Sequence, residues 1–284
     1  MFDNALGEKL KIVSVLFPVH KDSPYLEAAL ESLLKQDFDN FEILFLDNSK
    51  IGIDRTIWNR SSKIIHLKLP QDYGLSQSLN YGVKYSESKY LLRMDYDDIA
   101  LSDRISKQVN FMEENPHISI SGTGIRFIGE NFGGNETESP ELFRPEDPNK
   151  IIPYLLYKNP LFHPTVIMRR ESLIEHNLFY NQKYDAAEDL DLWMRASHKI
   201  KISNINEVLL EYRLHSNQFS REDGINSKFQ SAKIRLRHAV WFIFNYPAEW
   251  EKGYKSLMRN SYFLTQNFLT YLSRSKFNKF NQLN

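Results

Sequence analysis

The chain contains no cysteine. That absence excludes a disulfide scaffold, a cysteine-based zinc site and a thiol nucleophile, and it fits a reducing compartment. No apolar run reaches the length needed to span a bilayer; Ala239-Val240-Trp241-Phe242-Ile243-Phe244 falls far short. The start, Met1-Phe2-Asp3-Asn4, lacks the basic-then-apolar layout of a signal peptide. The simplest location on these grounds is the cytosol. Neither sign of charge dominates, with 36 Lys+Arg against 36 Asp+Glu, so net charge gives no argument for a polyanionic partner. Internal repeats and low-complexity tracts are absent too. What remains is a chain of 284 residues, 42% hydrophobic and 25% charged, an ordinary composition for a soluble globular protein. It is long enough to bury one large core, with or without an appendage.

The first hundred residues alternate strand and helix patterns. Lys11 to Phe17 is a continuous apolar run closed by Pro18, as expected of a strand buried on both faces. Ser23-Pro24 then predicts a helix start, with Ser23 as N-cap, Pro24 in the first turn and Glu27 completing a capping box. Leu26, Ala29, Leu30, Leu33 and Leu34 share one helical face. Phe41 to Leu46, Lys63 to Leu69 and Tyr90 to Met94 predict three more buried strands, and Gly74-Leu75-Ser76 opens a helix reaching Tyr85. This order predicts an α/β fold, a mostly parallel sheet with helices on both faces. Polar or acidic residues end three of the strands: His20-Lys21-Asp22, Asp47-Asn48, and Asp95 to Asp98. In such sheets the carboxyl ends of the strands form the ligand crevice.

The sharpest feature is Tyr90 to Ile99, where a short apolar strand runs into Asp95, Asp97 and Asp98. Three carboxylates so close repel one another unless a cation or donor neutralises them. Oxygen ligands of this kind suit Mg²⁺ or Mn²⁺ bridged to substrate phosphates. The plainer alternative is an acidic turn capping the next helix, with Asp98 or Ser102 as N-cap.

Further on, Ser102 to Glu114 reads as a helix, Ile118 to Ile128 as a strand containing Gly122 and Gly124, and Gly129 to Pro148 as a loop, either a mobile lid or an acceptor loop. Ile151 to Tyr157 and Glu171 to His176 read as short helices, and Leu161 to Met168 and Ile200 to Leu210 as strands. Glu188-Asp189 stands at the mouth of an amphipathic helix that carries Leu192-Trp193; acids there also suit the helix dipole without any catalytic role. From residue 225 onward ten Lys/Arg face two Glu, interleaved with Trp241, Phe242, Phe244, Trp250, Tyr254, Tyr262, Phe263, Phe268 and Tyr271. That composition fits a surface facing anionic lipid, or a helical hairpin packed on the rest of the chain, or a homodimer contact. No nucleic-acid-binding module is present.

In order and spacing these pieces resemble the family 2 glycosyltransferases, GT-A-fold enzymes that use nucleotide-sugar donors. The matching residues are Phe17-Pro18, Leu33 to Gln36, Phe41 to Asp47, Gly74-Leu75-Ser76 with Asn80, Met94 to Asp98, Arg104 with Gln108, His163-Pro164-Thr165, Glu188-Asp189 with Leu192-Trp193, and Tyr212-Arg213 with His215. The resemblance covers roughly residues 11 to 220. It implies a catalytic domain over 1–220, with a nucleotide-sugar half to about 115 and an acceptor half after it, followed by a helical extension over 221–284. Pro18, Val19, His20, Asp47, Asn48, Gly74, Asn80, Asp95, Tyr96 and Arg104 would then line the nucleotide-sugar site, although Arg104 could equally brace the Asp cluster. Asp97, Asp95 and His215 would hold Mn²⁺ or Mg²⁺, with a structural hydrogen bond the other reading of His215. Asp189 would be the base and Glu188 its partner. His163 and Trp193 would face the acceptor, unless the first is a satisfied buried histidine and the second is core.

Three places depart from the family pattern: Asp47-Asn48-Ser49-Lys50 has one acid where two are usual, His20-Lys21 replaces Tyr-Asn, and Asp72 replaces Asn. The expected activity is an inverting, metal-assisted transfer of one hexose or N-acetylhexosamine from a UDP-sugar to a glycan, with the cytosol or the inner face of the membrane as its place. Two rivals remain. A sugar-phosphate nucleotidyltransferase wants glycines after the first strand, and Pro18-Val19-His20-Lys21 has none. A catalytically idle glycan-binding protein has no need of Asp95, Asp97 and Asp189 together.

Overall fold

A computed structural model describes residues 11–70, 73–129, 139–215 and 224–281. Asp72, most of the loop before Pro140, and Ser216 lie outside the described residues. Strands β1 (Val13–Val19), β2 (Phe41–Asp47), β3 (Ile64–Lys68) and β4 (Tyr90–Arg93) pair in parallel in the order β3-β2-β1-β4. The expected parallel half is therefore present. The sheet then turns antiparallel through β8 (Ile167–Arg169) and β6 (Ile118–Gly129), and β9 (Lys201–Leu214) runs parallel to β6. The short strands β5 (Ile99–Ala100) and β7 (Glu141–Leu142) pair with β9 and β6.

Alternation along each central strand divides the core in two. Val13, Val15, Phe17, Phe41, Ile43, Phe45, Tyr90 and Leu92 face one layer, covered by α1 (Leu26–Leu34) and α4 (Arg104–Glu114). Leu16, Leu44, Leu46 and Leu91 face the other, covered by α3 (Leu75–Tyr85), α5 (Pro148–Leu155), α6 (Arg170–Glu175) and α7 (Glu188–Ser197). The helix α2 (Arg55–Trp58), between β2 and β3, gives no sequence signal of its own length. Gly82 lets α3 settle on β1 and β2: a Cβ there would meet Leu16 at 2.7 Å and Leu46 at 3.1 Å.

Local starts differ from expectation. Ser23-Pro24 forms a turn and α1 begins at Leu26, because Ser23 O accepts from Leu26 N at 3.1 Å and Ser23 Oγ caps no helical turn. Neither Asp98 nor Ser102 caps α4, which follows Asp103. The segment 161–168 is interrupted by a 3₁₀ turn at His163–Thr165, because Pro164 cannot donate to a ladder.

The C-terminal residues form a hairpin of α8 (Gly224–Asn245) and α9 (Trp250–Asn281). Its inward face, with Ala232, Ile234, Ala239 and Phe242, is buried, and Ile234 joins the same core layer as Leu190 and Trp193. At the seam His198 Nε2 and His238 Nδ1 lie 3.0 Å apart, with Trp241 stacked 3.5 Å from His198. Burial holds both imidazoles down, to about 4, and keeps them neutral. The packed-hairpin alternative is thus the observed arrangement. Among the described residues no helix is long and apolar enough to cross a membrane.

Candidate active site

The parallel strands deliver their carboxyl ends to one edge, where Val19 pairs with Asp47 and Asp47 with Lys68. Beyond β4 the chain turns sharply, so Asp95, Asp97 and Asp98 offer carboxylate oxygens within 4.8 Å of one another. Each is held differently. Arg93 grips Asp95 with both arms, at 2.6 and 2.5 Å. Asp97 Oδ2 lies 2.9 Å from His215 Nε2. Asp98 is buried; its Oδ1 accepts from Arg213 N at 2.9 Å, while Oδ2 has no hydrogen-bond partner. Burial pushes the Asp95 carboxyl up, the Arg93 charge pulls it back, Asp97 pushes again, and the net shift is upward. Burial, then the charges of Asp95 and Asp97, raises Asp98 well above the usual carboxylate range. A compact set of hard oxygen donors that stays over-charged, with one buried oxygen unsatisfied, fits a hard divalent cation. Aromatic contacts fasten this loop to the end of β1: His20 meets Tyr96 at 5.4 Å and Tyr25 meets His215 at 5.0 Å.

A second carboxylate pair stands opposite, at the mouth of α7. Asp189 Oδ2 accepts from Asn159 Nδ2 at 2.5 Å, and Oδ1 from Leu190 N at 2.6 Å. Burial raises its pKa, and those two hydrogen bonds and Arg93 offset part of the rise. Glu188 is raised further, to about 8, by burial first and by the Asp189 charge second. The hydrogen bonds from Asn159 and Leu190 N favour the ionised form of Asp189. Behind them His163 Nε2 lies 2.9 Å from the Tyr180 hydroxyl, and Nδ1 lies 3.6 Å from Glu188 Oε1. Burial, then Arg93, drives His163 well down, so this imidazole is neutral. Arg93 thus sits beneath both acidic groups, acting on Asp95 by contact and on Glu188 through the field.

Comparison with known proteins decides the identity. The profile of glycosyl transferase family 2 matches residues 14–178, more than half of the chain. The chain belongs to this family. It is 30% identical over 241 residues to the O-antigen biosynthesis glycosyltransferase WbnJ of Escherichia coli, covering 80% of this chain and 89% of WbnJ. It is also 30% identical over 234 residues to the amylovoran biosynthesis glycosyltransferase AmsE of Erwinia amylovora, covering 78% and 85%. The crystal structure of Staphylococcus aureus TarS 1–349 in complex with UDP-GlcNAc superposes with a TM-score of 0.64 at 22% identity, covering 87% of this chain and 70% of that one. The protein is therefore a glycosyltransferase, with the GT-A fold plus a C-terminal helical hairpin.

Within this family 2 site, the residues marked in the sequence divide into groups. Asp95, Tyr96, Asp97, His215, Glu188 and Asp189 gather at the crevice, with His20 exposed at its rim. Pro18 and Val19 are buried inside β1, so they shape the floor rather than offer side chains. Asp47 is 2% exposed and engaged throughout: Ser49 N and Oγ, His66 Nε2 at 2.9 Å and Lys68 Nζ at 3.1 Å. Burial alone would raise its pKa, but the Ser49, His66 and Lys68 hydrogen bonds together lower it. It organises the strand ends. Asn48 is tied to Tyr73 O, and Gly74 is the N-cap of α3, its Cα facing the Asp185 carboxylate.

Four assignments need correction. Asn80 spends its amide on the Tyr180 backbone, donating to O and accepting from N at 2.8 Å each, so it joins α3 to that segment instead of a nucleotide. Arg104 is 0% exposed and donates to Arg93 O, Pro164 O and Gln108 Oε1; it is the brace, in the field of Asp98. Trp193 is 0% exposed, edge-on to His163 at 5.9 Å, which leaves no face for a sugar. His163 likewise contacts Tyr180 and Glu188 from inside the protein, not the acceptor surface.

Sequence reasoning missed Arg93, Tyr180 and Asn159 as site residues. Arg93 carried a signal, a charge at the end of an otherwise apolar buried strand, which requires a partner. Tyr180 and Asn159 carried none, since each acts through a contact far along the chain.

Proposed function

We propose that the chain is an inverting, metal-assisted glycosyltransferase that moves one hexose or N-acetylhexosamine from a UDP-sugar to a hydroxyl of a glycan acceptor. The observation that carries this reading is the pair of carboxylate groups facing one crevice, Asp95, Asp97 and Asp98 on one side and Glu188 with Asp189 on the other. Asp95 and Asp97, with His215, would hold the cation. A divalent ion there supplies Lewis-acid stabilisation of the negative charge that gathers on the departing diphosphate. Asp189, held by Asn159 and Leu190 N, takes the acceptor proton as the acceptor oxygen bonds to the anomeric carbon. The bond from that carbon to the phosphate oxygen breaks, and the diphosphate leaves with the electron pair. Neutral Glu188 can donate a hydrogen bond to the acceptor, and its lack of charge leaves Asp189 free of a competing anion. The likeness to TarS, solved with UDP-GlcNAc, supports UDP as the nucleotide, and the O-antigen and amylovoran relatives support a polysaccharide acceptor. Calorimetry with UDP-, GDP- and dTDP-sugars, with and without Mn²⁺, tests this. UDP compounds bind only with the metal, and Asp97→Ala abolishes the metal-dependent part; metal-independent binding that survives Asp97→Ala would reject it.

We further propose that the hairpin carries the site to an anionic membrane surface, and its outward face is the reason. Trp250, Tyr254, Met258 and Tyr262 recur every four residues along α9 and are 50%, 47%, 52% and 68% exposed, beside Phe244 at 80% on α8. Lys252, Lys255 and Arg259 are exposed on the same helix. Aromatic tips with basic flanks suit the headgroup layer. The protein sediments with phosphatidylglycerol vesicles, and Phe244→Ser with Tyr262→Ser leaves it in the supernatant. A dimer in solution that the same pair dissociates would reassign the face to a second copy.

A further inference from the structure

The hairpin also presents charge inward. Along α8, Arg235 lies three residues after Ala232, four before Ala239 and seven before Phe242, all of them buried. It therefore occupies the packed face of the helix, not the solvent face. That face is placed over the mouth of α7 by two contacts. Gln230 Oε1 accepts from Ala186 N at 3.2 Å, and Ile234 packs in the layer that holds Leu190. The second helix of the hairpin is anchored beside it. Ser256 Oγ donates to Leu156 O at 2.8 Å, and Gly253 lets α9 approach α8 closely, where a Cβ would meet Ile243 at 2.7 Å. Arg259 follows Ser256 by one turn. The two guanidinium groups repel each other, and Arg235 is drawn toward Asp189.

The charge of Arg235 is not satisfied by the protein, and Arg259 stands on the exposed side of it. Among the described residues no carboxylate makes an ion pair with Arg235 or Arg259, and Arg235 Nε is shielded from water without a hydrogen-bond partner. Asp189 makes no ion pair with Arg235; its two oxygens receive Asn159 Nδ2 and Leu190 N. A half-buried arginine with an idle Nε, set beside a second arginine, is costly unless an anion arrives. Two forked donors match phosphate oxygens better than any other common biological anion. The donor diphosphate belongs on the opposite side, with the acidic loop.

We infer that Arg235 and Arg259 form a phosphate or diphosphate subsite for the acceptor, fixing its anionic end so that its hydroxyl meets Asp189. The word acceptor rests on the transfer reading above; the anion site itself does not. It would explain why the hairpin is packed over the catalytic mouth instead of at the sheet's far edge. It also defines the acceptor class as a phosphorylated glycan or a glycan diphosphate-linked to lipid.

The test is calorimetric titration of inorganic pyrophosphate into the full-length protein in EDTA, where the acidic loop has no metal to bind phosphate. The wild type binds, Arg235→Gln and Arg259→Gln each weaken binding about tenfold or more, and Asp97→Ala leaves it unchanged. Arg259 is exposed, so its variant tests the site without disturbing the core, and Arg235→Lys should keep part of the affinity with an unchanged melting temperature. Absence of pyrophosphate binding in the wild type, or binding at the wild-type level in either glutamine variant, overturns the proposal. Failure of the UDP-sugar experiment alone would leave this subsite standing and remove only its assignment to an acceptor. Farnesyl diphosphate names the source: tighter binding than pyrophosphate assigns a lipid-linked acceptor, and equal binding a phosphate within the glycan.

Discussion

Asp189→Asn loses about 10²–10⁴-fold in turnover while metal-dependent UDP binding stays at the wild-type level. The change is nearly isosteric: the one remaining oxygen keeps the Leu190 N bond at the mouth of α7, and the new amide NH₂ faces Asn159, whose own amide turns to present its oxygen. What goes is proton affinity at the one position where the acceptor hydroxyl must be deprotonated. The companion variant Glu188→Gln should cost far less, because Glu188 already carries its proton below about 8 and glutamine reproduces a neutral donor. The pH profile separates the two. Wild-type kcat/KM rises with pH through the raised Asp189 value, since the base must be ionised, and the limb disappears in Asp189→Asn. Measuring UDP release against acceptor concentration for both variants decides it. Equal losses in the two, or an unchanged acid limb in Asp189→Asn, would remove Asp189 as the base.

The sequence disclosed most of what depends on local pattern. Buried parallel strands declare themselves as uninterrupted apolar runs, and Lys11–Phe17, Phe41–Leu46 and Tyr90–Met94 sit within two residues of β1, β2 and β4. Strand-end acids could be aligned from chain order alone, because parallel strands share one carboxyl edge. The acidic loop and Glu188-Asp189 were legible for that reason. Residues that act across the sheet were not. Arg104 looks like a ligand-binding cation after an Asp cluster, yet Leu101 starts the turn that rotates it inward, where backbone carbonyls of Arg93 and Pro164 receive it. Asn80 looks like a polar group of α3 turned to the crevice, yet its partner is Tyr180, one hundred positions away. Trp193 follows Leu192 in the helix, and which side of α7 would be covered depended on a hairpin that only the fold places over it. The same cause hid the inward orientation of Arg235: a basic tail reads as solvated until its neighbours at four and seven residues are seen to be buried.

Arg93→Leu destabilises the metal-free protein by about 3–5 kcal/mol, the usual penalty for removing one partner from a buried ion pair. The guanidinium is 3% exposed and forms the forked contact with Asp95, so no water replaces it when it is deleted. Its loss leaves Asp95 facing Asp97 and Asp98 without its own partner, while Arg213 N and the field of Arg104 act on Asp98 and His215 contacts Asp97. The penalty must then depend on pH, and the sign follows from the direction of the shift. Asp95 is already raised above its unfolded value, and without Arg93 it rises further. A carboxyl raised on folding is protonated in the native state at pH values where the unfolded chain is ionised. Its burden is therefore absent below the unfolded value, about 3.9, and grows as pH climbs toward the native one. Urea denaturation in EDTA at pH 5 and pH 7.5 measures this: the gap between wild type and Arg93→Leu should be clearly smaller at pH 5. A gap of equal size at both pH values would mean that Arg93 serves by packing alone. Arg93→Lys refines the point, since a single ammonium restores the charge without the fork. It should recover much of the stability and little of the turnover, because Asp95 would keep its neutraliser but lose the two-armed grip that sets its direction in the crevice.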